Sequence, residues 1–405
     1  MPAAPQATFF LCHRGVIAAT LCALLAACGS SKPPVPAPGS LPSLSISSTP
    51  LQPAEAAPEE GLSAAAKPTA VPDNAALTTR PLQGNPSPDG YLAREDARQL
   101  AHELAQAQEL NEAWVWEALS KARYKENVAK LMMPAGPGTA KNWGVYRSRF
   151  VEPIRIRAGV NFYRRYEADL KRAEASYGVP ASIIAGVLGV ETIYGRQTGN
   201  FRVLDVLTTL TLDFPKGRSD RSAFFKAELG QFLKLCQEQQ LEPDTVLGSY
   251  AGAIGLPQFM PSSIRRYAVD FDTDGHIDLL RSPVDAIGSV ARYLAEHGWQ
   301  PEWPTYFDIK PPQDEQALAK LLAPDIVPSF SATDMQGLGA ALSASGQNHP
   351  GQLALVLLQN GSEAPTLVAG TSNFYAITRY NQSSYYAMAV IQLGEVVSRE
   401  AARSN

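Results

Sequence analysis

Apolar and polar positions follow a helical period along most of the chain from about residue 90. Residues 180–193 are apolar nearly all round, which is typical of a helix buried on every side. A helix over 161–177 is predicted before it, and Gly178 is the residue type that ends many helices in a left-handed conformation. Asn111 is a favoured N-cap ahead of another helical pattern. The same spacing predicts further helices over 224–240, 283–297 and 384–402.

Residues 301–370 show a different pattern. Short β-like pieces over 305–309, 353–358 and 366–368 are separated by loops, with one helical stretch near 314–322. This segment predicts a small mixed or β subdomain. The predicted fold class is therefore mainly α, of the α+β type.

The chain ahead of residue 90 has a different composition from the rest. Residues 29–89 hold 13 of the 32 prolines and no Phe, Trp or Tyr. Such a segment buries too little apolar area to offset its chain entropy. We predict that residues 28–89 form a disordered Pro/Ala/Ser tether.

The first 27 residues have the features of a secretory signal. Residues 15–27 form an apolar run that is shorter than the ~20 residues of a membrane-spanning helix. The run ends in Leu25-Ala26-Ala27-Cys28, which resembles the bacterial lipobox, where the cysteine becomes the lipidated first residue. Gly29 follows instead of the Asp that retains a lipoprotein at the inner membrane, so the resemblance points to the periplasmic face of the outer membrane. The alternative is an ordinary signal in which Cys28 is incidental.

Overall charge and cysteine count narrow the classes of function. The 405 residues carry a net charge of −4, and a nucleic-acid binder usually has a basic surplus, so that class is disfavoured.

If Cys28 is lipidated and the signal is removed, Cys236 is the one remaining cysteine, and no intrachain disulfide is possible. We predict that Cys236 is a buried apolar residue of its helix.

Glu191 is an isolated acid at the end of the apolar helix. No other Asp or Glu lies between Glu174 and Asp205. Burial and the negative end of the helix dipole both disfavour a charged carboxylate there, and a raised pKa suits a general acid. The alternative is a surface glutamate at a fraying helix end.

A glycine-rich segment over 248–261 is the second candidate for chemistry. It contains three glycines and two alanines, which allow a ligand or another backbone to come close. Gln258 could bind sugar hydroxyls or an amide, and Phe259 could present an apolar face to a sugar ring. The alternative is a tight turn packed between helices.

Residues 270–277 match the first half of an EF-hand loop. The predicted cation ligands are Asp270, Asp272, Asp274 and the carbonyl of His276, with the side chain of His276 facing solvent. Position twelve holds Arg281 instead of the usual Glu, and the next acid is Asp285. We predict a structural calcium site. Asp285 has the additional reading of a helix-capping residue after Ser282 and Pro283.

Several stretches together resemble the membrane-bound lytic murein transglycosylase B family, over roughly residues 140–395. They are Glu191-Thr-x-Tyr-Gly, the glycine-rich segment extended to residue 263, the cation loop over 267–279, Asp285-Ala-Ile-Gly-Ser-Val, and Asn373-Phe-Tyr-x-Ile-Thr-Arg-Tyr-Asn381.

That resemblance implies a reaction and an architecture. The family has a lysozyme-like core, an added helical domain and a small β domain. It cleaves the β-1,4 bond between N-acetylmuramic acid and N-acetylglucosamine, and the muramic 6-hydroxyl attacks its own anomeric carbon to leave a 1,6-anhydro end. Glu191 would then be the single acid and base, with no cofactor for catalysis. The family also has an enlarged EF-hand-like loop that closes on an Asp, here Asp285.

The resemblance also implies substrate contacts. The polar candidates are Ser249, Gln258 and Asn381. The candidates for aromatic walls are Tyr146, Phe214, Phe259, Tyr380 and Tyr386, with simple core packing as the alternative for each. Phe214 stands where the family often has Tyr, so a hydroxyl contact is lost there.

The expected domain organisation follows from these observations. It consists of a signal over 1–27, the lipid-anchored tether over 28–89, a helical domain over 90–165, the catalytic core with the cation loop over 166–300, the β subdomain over 301–370, and a C-terminal segment over 371–405. The expected partners are peptidoglycan strands, the membrane through the lipid, and complexes for cell-wall synthesis or hydrolysis. The alternatives are a non-catalytic peptidoglycan-binding lipoprotein and a hydrolytic lysozyme-type muramidase.

Overall fold

The computed structural model describes residues 90–133, 141–217 and 219–403. The predicted signal, Cys28 and the tether lie outside the described residues. Helices dominate the first part of the described chain. They are α1 (Glu95–Gln108), α2 (Glu112–Ser120), α3 (Glu126–Leu131), α4 (Trp143–Ser148), α5 (Pro153–Arg165), α6 (Glu167–Tyr177) and α7 (Ala181–Thr192).

Local capping explains where several of these helices begin and end. The Asn111 side chain accepts the backbone N–H of Trp114 at 3.0 Å, so it is the N-cap that the sequence predicts. Gly178 ends α6 at φ 70°, also as predicted. The helix expected over 161–177 is instead two helices, because the chain leaves helical geometry at Tyr166, where φ is −114° and ψ is 26°.

Four helices and a short pair of strands continue the helical part. The elements are β1 (Phe201–Arg202), α8 (Val203–Leu212), α9 (Ser222–Glu238), β2 (Leu247–Gly248), α10 (Pro261–Tyr267) and α11 (Pro283–Glu296). Strands β1 and β2 are antiparallel and pair Phe201 with Gly248, which fixes the start of the glycine-rich segment. Cys236 is buried in α9, as predicted.

A small sheet with its own apolar cluster follows. The elements are β3 (Tyr306–Lys310), α12 (Glu315–Leu322), α13 (Ala332–Gly337), β4 (Ala341–Leu342), α14 (Ala344–Gln347), β5 (Ala354–Asn360) and β6 (Glu363–Gly370). The antiparallel strands lie in the order β4-β3-β6-β5. The three predicted strand pieces and the helix near 314–322 are confirmed. The domain boundaries stay a prediction.

The last two helices return to the core. These are α15 (Ser372–Thr378) and α16 (Ser384–Arg403). Helix α16 crosses α7 with the two backbones nearly touching, because a Cβ on Gly186 would lie 2.3 Å from the carbonyl oxygen of Val390. A Cβ on Gly394 would similarly lie 2.1 Å from the carbonyl oxygen of Ser182. Only glycine permits this approach, and it brings the start of α16 to the end of α7.

No single helix among the described residues is long and apolar enough to cross a membrane. Helices α6 and α7 pass that test only as a pair, and they are bent by 115° relative to each other. Nearly all side chains of α7 are buried, which agrees with a core helix.

Candidate active site

Glu191 is half-buried near the C-terminal end of α7, where the residues on either side of it are buried. Its Oε1 accepts a hydrogen bond from the hydroxyl of Tyr386 on α16 at 2.6 Å. Burial raises the pKa of Glu191 to about 8, and the Tyr386 hydrogen bond lowers it in part. Within the described chain, no basic side chain forms a salt bridge with this carboxyl. A carboxyl with this pKa is mostly protonated at neutral pH and can donate a proton.

Tyr386 keeps its own proton and can act as a donor. The side chain is fully buried. Burial, together with the nearby Glu191 carboxyl, raises the pKa of Tyr386 well above its ordinary value. Since Oε1 of Glu191 receives this hydrogen bond, the proton that Glu191 carries is expected on Oε2.

A strained turn follows Glu191. Ile193, Tyr194 and Gly195 all have positive φ, of 52°, 58° and 85°. Ile193 is β-branched, so its left-handed conformation is a true outlier. The backbone N–H of Tyr194 bonds to the carbonyl of Leu188 at 3.1 Å, which caps the end of α7.

Two side chains hold this turn, and sequence reasoning did not identify either. The Thr192 hydroxyl donates to the carbonyl of Leu256 at 2.9 Å and accepts from the N–H of Gly195 at 2.9 Å. The buried Arg155 on α5 donates from Nε to the carbonyl of Gly189 at 2.8 Å. Thr192 therefore ties the end of α7 to the glycine-rich segment. Thr192 belongs to the Glu191-Thr-x-Tyr-Gly motif, but the motif gave it no role, and nothing in the local sequence pattern marks Arg155.

The glycine-rich segment forms a tight turn in which Ser249 and Gln258 keep polar atoms that can bind a ligand. Ser249 Oγ accepts the N–H of Ala253 at 3.0 Å, so its hydroxyl hydrogen is available to a ligand. Gln258, at φ 51°, donates from Nε2 to the carbonyls of Thr198 at 3.0 Å and Gly255 at 2.9 Å. Both amide hydrogens are used, and no described residue donates to its Oε1. The glycine-rich segment can therefore be a tight turn and still present Ser249 and Gln258 to a ligand.

Asn381 carries an unpaired polar atom. The residue is 5% exposed, and its Oδ1 is buried with no hydrogen-bond partner among the described residues. An unsatisfied buried acceptor costs about 1–3 kcal/mol, so a ligand donor at this atom would recover free energy. The next residue back, Tyr380, lies near enough to Glu191 for that carboxyl to raise its pKa.

The aromatic candidates divide into two groups. Tyr146, Tyr380 and Tyr386 lie near Glu191, whose carboxyl contributes to the raised pKa of each, and Tyr386 bonds to it directly. Phe259 is only 2% exposed and packs behind Tyr380 at 5.7 Å between ring centroids, which favours its core-packing alternative. Phe214 packs on Phe225 of α9 at 6.0 Å between centroids, and no described contact joins it to Glu191.

The cation loop brings together three of the predicted acids. Carboxylate oxygens of Asp270, Asp272 and Asp285 lie within 4.8 Å of one another. Asp274 and His276 are exposed and lie outside this group. Three converging carboxylate oxygens fit a hard cation such as Ca²⁺.

Asp285 also organises the loop through backbone hydrogen bonds. Its carboxylate accepts the backbone N–H groups of Phe271 and Asp278, each at 2.8 Å. Ser282 caps α11 by accepting the N–H of Asp285 at 3.2 Å, which is one half of the predicted capping box. The other half does not form, because the N–H of Ser282 donates to the carbonyl of Asp278 and not to the Asp285 carboxylate. Burial is the main cause that raises the pKa of Asp285. The Asp285 carboxylate therefore holds the loop backbone, and cation binding by the same group stays a prediction.

Comparison with known proteins yields one family. The transglycosylase SLT domain family matches residues 93–395. Membrane-bound lytic murein transglycosylase B of Escherichia coli K12 is 38% identical over 322 residues, which are 76% of this chain and 84% of that protein. The soluble lytic transglycosylase SltB1 of Pseudomonas aeruginosa is 38% identical with a TM-score of 0.68, over 76% of this chain and 100% of that one. The Escherichia coli lytic transglycosylase Slt35, solved in complex with calcium, is 37% identical with a TM-score of 0.67. The match covers 80% of this chain and 100% of that one.

Proposed function

This chain belongs to the transglycosylase SLT domain family and is a peptidoglycan lytic transglycosylase, and we propose that Glu191 is its single catalytic acid and base. The bond cleaved is the β-1,4 bond between N-acetylmuramic acid and N-acetylglucosamine, and the product carries a 1,6-anhydromuramic end. The observation that carries this proposal is one half-buried carboxyl with a pKa raised to about 8. Burial is the cause of that rise, and no second carboxylate contributes to it.

The reaction takes two proton transfers at the same carboxyl. In the first, protonated Glu191 gives its proton to the glycosidic oxygen, and the bond from that oxygen to the anomeric carbon breaks with its electrons going to oxygen. In the second, the muramic 6-hydroxyl oxygen bonds to the anomeric carbon while the Glu191 carboxylate takes the hydroxyl proton. Glu191 ends protonated, so the enzyme is ready for another bond.

Tyr386 and the polar atoms around the site have defined roles in this proposal. The Tyr386 hydroxyl stabilises the carboxylate that exists between the two steps. The free acceptors on Gln258 and Asn381 and the hydroxyl hydrogen of Ser249 suit the acetamido N–H, hydroxyl and carbonyl groups of the sugars. Tyr146 and Tyr380 would supply apolar surface beside the sugar rings.

Digestion of purified peptidoglycan sacculi, with mass spectrometry of the products, tests the proposal. We expect 1,6-anhydro ends from the natural protein and at least ~10²-fold slower release from Glu191→Gln. Glu395→Gln, which neutralises an exposed glutamate of α16, is the matched control and should keep its activity. Reducing ends would indicate a hydrolytic muramidase, and binding without products would indicate a non-catalytic lipoprotein. Near-natural activity of Glu191→Gln would remove Glu191 from the mechanism.

The same proposal includes a structural cation. Asp270, Asp272 and Asp285 would hold Ca²⁺, an ion present in the solved Slt35 relative, with Asp274 and the His276 carbonyl as the further ligands that the sequence suggests. The support is the convergence of three carboxylates, which repel one another without a cation. The ion would stabilise the loop that precedes α11 and take no part in catalysis.

A lipid anchor completes the proposal. The Escherichia coli relative is named as membrane-bound, and the Cys28 motif supports lipidation at the periplasmic face of the outer membrane. Residues 28–89 would then tether the domains proposed over 90–405, and partners in cell-wall complexes remain part of this proposal. Cys28→Ala should be soluble and unlabelled by palmitate while still cleaving sacculi. A Cys28→Ala protein that stays in the membrane fraction would contradict the anchor.

A further inference from the structure

The side chain of Tyr194 enters a narrow space between two helices beside the turn that follows Glu191. A Cβ built on Gly189 of α7 would lie 2.5 Å from the Tyr194 hydroxyl oxygen, and a Cβ built on Gly159 of α5 would lie 2.4 Å from it. Phe162, also on α5, packs on the Tyr194 ring at 5.0 Å between centroids. Glycine is therefore the residue type that leaves room for the end of the Tyr194 side chain at both positions.

Helix α16 closes the third side of this space. The Cβ built on Gly189 would also lie 2.8 Å from Leu393, and the Cβ built on Gly159 would lie 2.5 Å from Val397. The Tyr194 ring therefore reaches the place where α5, α7 and α16 meet. We call this space the Tyr194 slot, and its boundaries are Gly159, Phe162, Gly189, Leu393 and Val397.

The Tyr194 hydroxyl has a steric role in the slot. Its oxygen is buried, with no hydrogen-bond partner among the described residues. Burial is the main cause that raises the pKa of Tyr194 above its ordinary value, so the hydroxyl stays neutral. Because this hydroxyl forms no hydrogen bond, the side chain fixes its surroundings through its shape.

The slot holds the backbone on both sides of Glu191. Gly189 precedes Glu191 by two residues, and Tyr194 follows it by three. The buried Arg155 of α5 holds the same point of α7, since its Nε donates to the Gly189 carbonyl at 2.8 Å. Movement of the Tyr194 ring out of the slot would therefore shift the end of α7 that carries Glu191.

The slot also contacts the helix that carries the hydrogen-bond donor of Glu191. The Tyr386 hydroxyl donates to Glu191 at 2.6 Å. Tyr386 lies on α16 about two helical turns before Leu393, which is a boundary of the slot. Both helices that form this hydrogen bond are therefore packed against the Tyr194 side chain.

We propose that Tyr194 is a positioning residue whose ring, held in the Tyr194 slot, fixes the direction in which Glu191 presents its carboxyl to the glycosidic oxygen. This inference rests on the proposed role of Glu191. Ile193 and Tyr194 are both in the left-handed conformation, which such residues keep only when their surroundings hold them. Without the ring in its slot the turn would relax, and a shift of about 1 Å at a catalytic group can cost ~10²-fold in rate.

The test measures kcat and KM on soluble glycan strands for two substitutions of Tyr194. Tyr194→Leu keeps an apolar side chain that is too short to reach both glycines, so we expect kcat to fall at least about tenfold with KM within about twofold of the natural value. Tyr194→Phe keeps the ring and loses only an unpaired hydroxyl, so both constants should stay within about twofold.

The pH profile separates positioning from packing. Burial raises the pKa of Glu191 to about 8, and a relaxed turn would admit water to the carboxyl and remove part of that rise. The alkaline limb of the kcat/KM profile against pH should therefore move down by about one pH unit in Tyr194→Leu and stay in place in Tyr194→Phe. The titratable groups near Glu191 have raised pKa values and stay protonated in this range; they are Tyr146, Tyr293, Tyr380 and Tyr386.

A glycine substitution perturbs the slot from its other side. Alanine is the better helix former, but Gly189→Ala would push the Tyr194 ring out of the slot, so kcat should fall about tenfold. The matched control is Gly230→Ala, at a buried glycine of α9 where a Cβ would lie 3.2 Å from the flexible Gln108 side chain, and it should keep the natural kcat. In Gly189→Ala with Tyr194→Leu, the loss should equal that of Tyr194→Leu alone, because the ring that the new methyl group meets is absent.

Several results would overturn the proposal. One is a folded Tyr194→Leu protein that has a lower Tm but keeps its kcat and its alkaline limb, since Tyr194 would then only stabilise the core. Another is an equal loss of kcat in Tyr194→Leu and Tyr194→Phe, which would assign the effect to the hydroxyl. Losses that multiply in the double variant would have the same consequence. If Tyr194→Leu does not fold, natural kcat in Gly189→Ala overturns the proposal.

The proposed function is tested separately. If the natural protein releases anhydro ends and Glu191→Gln does not, the results that contradict positioning overturn the role of Tyr194 alone. Absence of anhydro ends from the natural protein would overturn the proposed function and the role of Tyr194 with it.

Discussion

Replacing Glu191 with Gln should stabilise the folded protein at alkaline pH. The substitution keeps the size of the side chain and an acceptor for the Tyr386 hydroxyl, but it removes the ionisable group. In the native protein burial raises the pKa of Glu191 from 4.5 to about 8. A group with a raised acid pKa binds its proton more tightly in the folded state than in the unfolded state, so its ionisation works against folding.

The pH window follows from these two pKa values. Below about pH 4.5 the carboxyl is protonated in both states, and the two proteins should be equally stable. Between 4.5 and about 8 the unfolded chain ionises while the native protein stays protonated, so the free energy of unfolding of the natural protein falls as pH rises. Above 8 the loss is complete. At 1.36 kcal/mol for each pKa unit, the upper limit of this loss in the free energy of unfolding is about 5 kcal/mol.

Solvent contact reduces this limit. The Glu191 side chain is only half-buried, and water reaching the carboxylate screens part of the penalty, so we expect about 2 kcal/mol. For a protein of this size that gain raises Tm by about 4 °C. Thermal melts of both proteins at pH 4.5, 7 and 9 should show no difference at the first pH and a growing advantage for Glu191→Gln at the others. A constant difference at every pH, or a less stable variant at pH 9, would refute the buried-acid reasoning.

Three further predictions concern Tyr386, Thr192 and the cation loop. Tyr386→Phe removes a hydrogen bond that lowers the pKa of Glu191, so the alkaline limb of the kcat/KM profile against pH should move up by about one pH unit. The control, Tyr380→Phe, should leave that limb in place, because the Tyr380 hydroxyl donates to the carbonyl of Pro257. Thr192→Val should lower kcat about tenfold by freeing the turn from the glycine-rich segment, while Thr192→Ser, which keeps the hydroxyl, should stay near the natural rate; equal losses in both would argue against this bond. Ca²⁺ at about a hundred times its Kd should stabilise the loop over 270–285 by about 2.7 kcal/mol in melts, with little effect of EDTA on turnover at low temperature; an identical Tm with and without the ion would contradict the site.

Features encoded by neighbouring residues could be predicted from the sequence. The Asn111 cap, the Gly178 helix end and the buried α7 each depend on contacts within a few residues. The convergence of acids in the cation loop is similarly local, apart from Asp285. Such features follow from propensity and period because the atoms involved are fixed by one stretch of backbone.

Features set by packing between distant segments could not be predicted in this way. The break at Tyr166 between α5 and α6 lies inside a continuous helical pattern, with no Pro or Gly to mark it. The bond from Thr192 to Leu256 joins residues that only the folded core brings together. Phe259 is an aromatic residue in a glycine-rich segment, and its burial behind Tyr380 depends on where the last helices return.

The proposed mechanism uses one carboxyl, Glu191, for both proton transfers. Glycosidases that act through water or an enzyme nucleophile use two carboxyl groups, one on each side of the bond. Burial is the main cause of the raised pKa of Glu191, and no other carboxylate in the described chain contributes to it. In the mechanism that we propose, the substrate itself supplies the nucleophile, because the muramic 6-hydroxyl belongs to the same sugar as the carbon it attacks. Because that attack is intramolecular, no water has to be held and activated. The burial that we expect to destabilise the ionised protein is therefore the property that keeps Glu191 protonated for the first step and strongly basic for the second.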